Sequence, residues 1–167
     1  GICVAYGFRN PTLYIVEDVA PNMMMVGRNP QHSYLVVTTG LLERVRRTEL
    51  EGLITHELSR SRNRTAYLEG ALAILLAWPW SFMPNLVSKL GVKFIDSWAI
   101  AETDVAAVRL TRYPPGLAKA LESICSDGRE PTHNPRFCRH MWVNPPSGPL
   151  IGATFSTNDR IAALAEL

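Results

Sequence analysis

Residues 50–64 read LEGLITHELSRSRNR and carry the most informative pattern of the chain. Together with the preceding TTGLLERVRRTE, their apolar positions recur at the spacing of an amphipathic helix. The letters HELSR, residues 56–60, differ at one position from His-Glu-x-x-His, in which two histidines one helical turn apart hold a zinc ion. Arg60 stands where the second histidine belongs. The stretch therefore predicts a helix with a defective metal-binding motif.

The chemistry of the intact motif depends on one face of a helix. Residues four apart project from the same face, so two imidazoles bind one zinc while the adjacent glutamate reaches the metal-bound water. Zinc lowers the pKa of that water, and the glutamate accepts its proton as the water attacks a peptide carbonyl. A guanidinium has only donors and stays protonated, so Arg60 cannot ligate a cation. By themselves, His56 and Glu57 fit either a surface pair or a disabled hydrolase site.

Composition indicates a folded domain with no bias toward a charged partner. The chain has 167 residues, 47% of them apolar and 19% charged, which suits one domain with a buried core. The net charge of +2 is too small to argue for a polyanion. Arginines cluster between residues 44 and 64, but glutamates are interleaved with them, as on a solvated helix face. We therefore expect no nucleic-acid partner.

The cysteines and the first residue bear on compartment and completeness. Cys3, Cys125 and Cys138 are odd in number and widely spaced, which argues against disulfides and indicates a reducing compartment. The chain begins with Gly1 and has no signal peptide, so we expect a fragment or processed form of a longer protein. Residues 1–167 are expected to form a single domain.

The N-terminal part predicts strands followed by helices. Residues 12–17, TLYIVE, and 33–38, SYLVVT, are β-branched and aromatic runs bounded by turn residues, and we expect them to pair through the intervening NMMMVG. After these strands, apolar residues recur at helical spacing from Leu41 to Leu58. Thr48 and Glu51 form a possible capping box in front of the second of two helices.

Residues 70–88, GALAILLAWPWSFMPNLVS, contain no ionisable side chain. Their length approaches that of a membrane span, but Pro79 and Pro84 interrupt it. A buried or interfacial helical hairpin is the favoured prediction, and a full span is the alternative. The aromatic side chains suit both a protein core and a membrane interface: Trp78, Trp80 and Phe82.

The C-terminal part predicts three further helices. One begins at about Asp96 and must stop before Pro114-Pro115. GLAKALESI is a short amphipathic helix, residues 126–149 are rich in loop residues, and DRIAALAEL closes the chain as a helix with Asp159 in its first turn.

Over most of its sequence, the chain resembles the HtpX-like membrane zinc metallopeptidases, a gluzincin-type family that includes the prenyl-protein CAAX endopeptidases. Residues 11–64, from PTLYIVED to SRNR, are similar to the family's strands and active-site helix. DVAAVRLTRYPPGLAKALESI, residues 104–124, is similar to the segment after the third zinc ligand, and MWVNPP and FST are similar to the C-terminal portion. The resemblance covers nearly the whole chain.

The resemblance implies an α+β, zincin-like fold, in which a small, mostly antiparallel sheet packs on the active-site helix beside a hydrophobic helical hairpin and further helices. It implies a zinc-dependent endopeptidase that acts on extended peptides or membrane proteins. It also implies membrane association, with the catalytic domain on the reducing, cytoplasmic side.

Transferring the family's site residues gives a mixed result. His56 matches the first zinc ligand and Glu57 the general base. Asp104 matches an aspartate that orients the first histidine through a hydrogen bond. The third ligand is a glutamate four residues before that aspartate, and Ile100 stands there. Two of the three zinc ligands are thus replaced, by Arg60 and Ile100.

Other departures from the family lie near the same site. Glu102 is the nearest carboxylate to the missing third ligand, but two residues along a helix turn it about 200 degrees from the face of Asp104. A register shift is needed to make it a substitute ligand. The family's aspartate after Asn-Arg is Thr65 here, and its His-Pro stretch after FST is replaced by a shortened NDR.

Two hypotheses follow. In the favoured one, zinc is weakly bound or absent, Arg60 occupies the metal position and pairs with Glu57 or Asp104, and the domain binds extended peptides or membrane partners without cutting them. In the alternative, the protein is an active membrane zinc endopeptidase whose site is completed by Glu102 or by residues outside this chain.

Two further features of the sequence involve histidines outside the motif. His133, Cys138 and His140 in THNPRFCRH are three candidate metal ligands, but a polar loop that contains two histidines by chance is the favoured interpretation, because no fourth ligand follows at finger-like spacing. His32 adjoins the predicted edge strand, residues 33–38, which in the family pairs with the substrate backbone. We expect His32 to be a surface residue.

Overall fold

The structure, a computed structural model, describes the greater part of the chain in several ranges. These ranges are residues 2–29, 32–63, 67, 68, 71, 75, 97–132, 134, 136–145 and 156–167. The predicted hairpin over 70–88, apart from residues 71 and 75, lies outside them, as do Thr65 and His133.

In the described residues the three strands come together near the start of the chain and most of the helices follow them, the order that the sequence periodicity predicts. The strands are β1 (Thr12–Val16), β2 (Met23–Asn29) and β3 (His32–Thr38). The helices are α1 (Ile2–Ala5), α2 (Thr39–Arg44), α3 (Arg47–Arg62), α4 (Ser97–Thr111), α5 (Pro114–Asp127) and α6 (Thr157–Ala165), with a 3-10 helix at Arg136–Met141. The α+β class is confirmed.

The three strands form a mixed sheet in the order β1-β3-β2. β1 and β3 pair, as predicted, but in parallel, with Thr12 opposite Tyr34. The segment expected only to link them is itself β2, which forms an antiparallel hairpin with β3. Because that hairpin occupies one side of β3, β1 joins on the other side, where its direction is parallel. The prediction of a mostly antiparallel sheet was therefore wrong.

The sheet order also corrects the predicted edge strand. Residues 33–38 belong to β3, which lies at the centre, so the edges of the described sheet are β1 and β2. His32 begins β3 and is exposed, as expected, with Nδ1 2.9 Å from Oδ1 of Asn29.

The core lies between one face of the sheet and the helices. Alternate residues of β2 and β3 point inward, among them Met23, Met25 and Leu35, and they pack with apolar residues of α3 and α5. The helix α3 is central, because it contacts α4, α5 and β2. Gly52 permits the close approach of α3 to α5, since a Cβ at this position would lie 2.9 Å from the backbone nitrogen of Leu117.

The N-termini of α3 and α5 differ from those that the sequence predicts. The carboxylate of Glu49 accepts a hydrogen bond from the backbone nitrogen of Arg46 at 2.8 Å, so α3 begins before the predicted Thr48–Glu51 box. Glu51 pairs instead with Arg47, at 3.2 Å. The helix predicted as GLAKALESI begins earlier, at Pro114, because proline suits the first turn of a helix.

The closing helix is confirmed. Ser156 Oγ accepts a hydrogen bond from the backbone nitrogen of Asp159, whose carboxylate accepts one from the backbone nitrogen of Ser156. Within the described ranges, no helix combines the length and the apolar character that crossing a bilayer requires.

Candidate functional site

The damaged motif lies on the buried face of α3. His56 and Glu57 are 2% and 0% exposed, and Arg60 is also buried. The helix α4 brings Asp104, likewise buried, against this face. The residues that the sequence singled out at positions 56, 57, 60 and 104 therefore gather at one place in the structure, closed from solvent.

His56 and Asp104, which the family resemblance pairs, are in contact in the structure. Nδ1 of His56 lies 2.8 Å from Oδ1 of Asp104. The ring is turned so that, within the described part of the chain, Nδ1 makes no aligned hydrogen bond. We therefore treat the contact as a close pair in which the carboxylate fixes the position of the imidazole.

Glu57 forms a buried ion pair with the guanidinium of Arg60. Nη1 of Arg60 donates to Oε1 of Glu57 at 2.7 Å, and the same oxygen lies 3.8 Å from Nε2 of His56. The predicted pairing of Arg60 is thus confirmed for Glu57. The second oxygen, Oε2, is buried and has no hydrogen-bond partner among the described residues.

The partner of Asp104 is a residue that the sequence analysis missed. The guanidinium of Arg160 in α6 donates from Nε to Oδ2 at 2.7 Å and from Nη2 to Oδ1 at 2.8 Å. Burial by itself raises the pKa of Asp104, but the charge of Arg160 and its two hydrogen bonds, together with the neighbouring His56, outweigh it and hold the pKa well below its ordinary value. The Asp104 carboxylate is consequently ionised at neutral pH.

Ile100, at the position of the missing third ligand, and Glu102, the possible substitute, differ in their exposure to solvent. Ile100 lies one turn before Asp104 on α4 and is half-buried. Glu102 is exposed, whereas His56 is buried. No group of three or more His, Cys, Asp or Glu side chains in the described ranges has an arrangement suited to a metal ion.

The second candidate metal site has two described members. His140 is buried and Cys138 is half-buried, and burial raises the pKa of the Cys138 thiol. A raised pKa disfavours the thiolate that binds metals. The third member, His133, lies outside the described residues.

The donor set can be compared with what zinc needs. A catalytic zinc ion takes three protein ligands and a water. The described residues supply one of the three, His56, and they place a guanidinium against the carboxylate beside it. The donor set that the structure describes does not fit this ion.

Comparison with known proteins adds independent information. Residues 3–95 match the model of Peptidase family M48. Proteins named Protease HtpX homolog are similar over most of the chain: that of Thermoanaerobacter pseudethanolicus is 40% identical over 88% of this chain and 62% of its own length. That of Dictyoglomus turgidum is 31% identical over 96% and 64%, and that of Acidiphilium cryptum 31% identical over 96% and 69%.

The chain therefore spans about two thirds of the length of these relatives. No solved structure matches it.

Proposed function

The chain belongs to peptidase family M48, among its HtpX-like members, and from this premise we propose that the domain keeps a zinc peptidase framework but does not cleave peptides. In this proposal Arg60 supplies the positive charge that zinc supplies in an intact site. The observation that carries it is the 2.7 Å contact between Nη1 of Arg60 and Oε1 of Glu57.

Electrostatics supports the replacement. Two unit charges 4 Å apart interact by about 4 kcal/mol at an effective dielectric constant of 20, so a guanidinium repels a divalent ion at that distance by roughly 8 kcal/mol. Loss of outer partners alone lowers metal affinity about 10–100-fold, and here two direct ligands are replaced. The pair with Arg60 also offsets the burial penalty that Glu57 would carry without a metal.

The loss of the metal also removes the role of Glu57. A general base must accept a proton from water, and zinc is what makes that water acidic near neutral pH. With its carboxylate bound to Arg60 and closed from solvent, Glu57 has no acidic water to act on.

The partners follow from the family rather than from the site. We propose that the partner is an extended polypeptide, either free or part of a membrane protein, and that this domain binds it without cleaving it. We also propose that the protein is membrane-associated and that this domain faces the cytoplasm. The alternative, a zinc peptidase completed by Glu102, has no support in the described geometry, because Glu102 is exposed.

Metal analysis tests the proposal. Purified protein, equilibrated with zinc and then dialysed, should contain far less than one zinc per chain by mass spectrometry. Stoichiometric zinc that a chelator removes from the parent protein would overturn it.

Restoring the ligands gives the positive arm of the test. The double variant Arg60→His with Ile100→Glu should take up zinc, and casein cleavage should appear in this variant only. A matched control is Arg62→His with Ile100→Glu, which introduces the same residue types but places the imidazole at an exposed position of α3. Cleavage of casein by the parent protein would contradict the proposal.

A further inference from the structure

A short segment of the chain lies against the start of β2. The backbone nitrogen of Val143 donates to the carbonyl oxygen of Met23 at 2.8 Å, and Trp142 forms an antiparallel bridge with Met24. Met141, Trp142 and Val143 are all buried. Part of the sheet edge that lies beside α3 is therefore paired with the chain itself.

The same segment is held by the two arginines of the site. Nη1 of Arg60 donates to the carbonyl oxygen of Met141 at 3.2 Å, and Nη1 of Arg160 donates to that of Val143 at 2.8 Å. Each guanidinium thus neutralises one site carboxylate and also holds one backbone carbonyl. We call the segment Met141–Asn144 the latch segment.

A third side chain completes the attachment. Asn22, directly before β2, donates from Nδ2 to the carbonyl oxygen of Asn144 at 2.9 Å and accepts from its backbone nitrogen at 3.3 Å. Proteins bind an extended peptide at a sheet edge through main-chain hydrogen bonds, and hydrogen bonds from charged donors are stronger than those from neutral ones. Here the peptide is part of the same chain.

We propose that the latch segment is an internal occupant of the β2 edge, and that Arg60 holds it there so that an external peptide can add to this edge only when the segment is released. The inference rests on the proposed function, because a zinc ion in place of Arg60 would leave the carbonyl of Met141 without its donor. It adds regulation of peptide access to that function.

Release of the latch can be measured without any peptide. The variant Glu57→Gln with Arg60→Met removes the donor to Met141 and leaves no unpaired buried charge. Hydrogen exchange of the amides of Trp142, Val143 and Met24 should become about tenfold faster, since a hydrogen bond from a charged donor is lost. The control is Glu51→Gln with Arg47→Met, which removes an exposed pair on the same helix and should change nothing.

Peptide binding supplies the second measurement. Fluorescein-labelled casein should bind the Glu57→Gln, Arg60→Met variant about tenfold more tightly than the parent, and the control variant should match the parent. Exchange within twofold of the parent, or faster exchange without tighter binding, would overturn the proposal.

A second variant covers the case in which the first fails to fold. Val143→Pro removes the N–H that pairs with Met23 and leaves both ion pairs intact, and it should likewise tighten casein binding about tenfold; unchanged binding would contradict the proposal. Neither exchange nor binding depends on metal, so failure of the proposed function, shown by stoichiometric zinc in the parent, is separable from failure of the latch.

Discussion

At the scale of single residues, the site is organised by two buried pairs, Glu57 with Arg60 and Asp104 with Arg160. A buried pair is stable only while both charges are present, because the charge that remains after removal of one partner is costly. These pairs therefore make the interior of the site sensitive to single substitutions.

The first prediction concerns Arg60. Arg60→Met alone should lower the free energy of unfolding by about 3–5 kcal/mol, because it leaves the Glu57 carboxylate buried without its cation. Adding Glu57→Gln should recover most of that loss. Urea denaturation of the parent, both single variants and the double variant measures the coupling. Equal losses in Arg60→Met and in the double variant would mean that the pair does not carry the effect.

The second prediction concerns Asp104 and pH. Its pKa is lowered in the folded protein, chiefly by Arg160 against the opposing effect of burial, so below the ordinary value of about 3.9 the unfolded chain binds the proton first. The free energy of unfolding should consequently fall as pH drops from about 4 toward the lower, folded pKa. Asp104→Asn should make this dependence shallower in denaturation measured between pH 5 and pH 2.

The exposed Glu102→Gln on the same helix is the control for this experiment. Because the pKa of Asp127 is also lowered, by its hydrogen bond to Arg129, some acid sensitivity should remain in Asp104→Asn. An unchanged slope in Asp104→Asn would show that Asp104 is not the group responsible.

Sequence predicted one of the two pairs and missed the other for a physical reason. Arg60 is three residues from Glu57 on one helix, so local geometry alone brings them together. Arg160 and Asp104 are 56 residues apart, and only the docking of α6 makes them neighbours. No periodicity of the sequence encodes that docking. The NDR stretch was interpreted only as the loss of the family's His-Pro stretch, and no role was predicted for the Arg160 that it contains.

At the scale of elements, helices were more predictable than the sheet. The spacing of apolar residues fixes a helix within its own length, whereas the order and direction of strands depend on which side of a neighbour is still free. Treating residues 22–27 as a link rather than as β2 was enough to misplace the central strand. The α3 cap was missed because Glu49 and Glu51 both lie at plausible distances from a helix start.

The third prediction concerns the exposed edge strand β1. Leu13, Tyr14 and Ile15 are 57%, 53% and 58% exposed, and in the described residues only β3 pairs with this strand. An apolar strand edge of this kind promotes association between chains. Ile15→Lys should reduce self-association measured by light scattering at increasing concentration, with little change in thermal stability.

A matched control for this edge is Val37, the neighbour of Ile15 in register on β3, which is buried. Val37→Lys should destabilise the fold because it buries an unpaired charge. Self-association of Ile15→Lys equal to that of the parent would show that β1 is not the surface responsible.

At the scale of the whole molecule, parts of the chain that are distant in sequence converge on the site. Helix α3 supplies three side chains, α4 supplies Asp104, the latch segment supplies two carbonyls and α6 supplies Arg160. Arg160 thus ties the last helix to both α4 and the latch segment. In the proposed function, in which guanidinium groups stand in for the metal, the two arginines would also do what a metal does in joining separate elements at one centre.

The fourth prediction compares two arginine–aspartate pairs of similar geometry. Arg160 binds Asp104 with two hydrogen bonds in the interior, and Arg129 binds Asp127 with two at the surface. Arg160→Met should lower the free energy of unfolding by about 3–5 kcal/mol, whereas Arg129→Met should change it little, because the Arg129 side chain is 52% exposed and Arg44 remains 2.9 Å from the Asp127 carboxylate.

If Arg160 joins α6, α4 and the latch segment, its loss should also change hydrogen exchange in all three together. Amides of α4 around Asp104, of the latch segment and of α6 should accelerate more in Arg160→Met than those of β1 and β3, which lie on the other side of β2 and should respond only to the loss of global stability. Faster exchange confined to α6 would show that this helix is merely attached at the end of the chain, and that Arg160 is not the residue that couples it to the site.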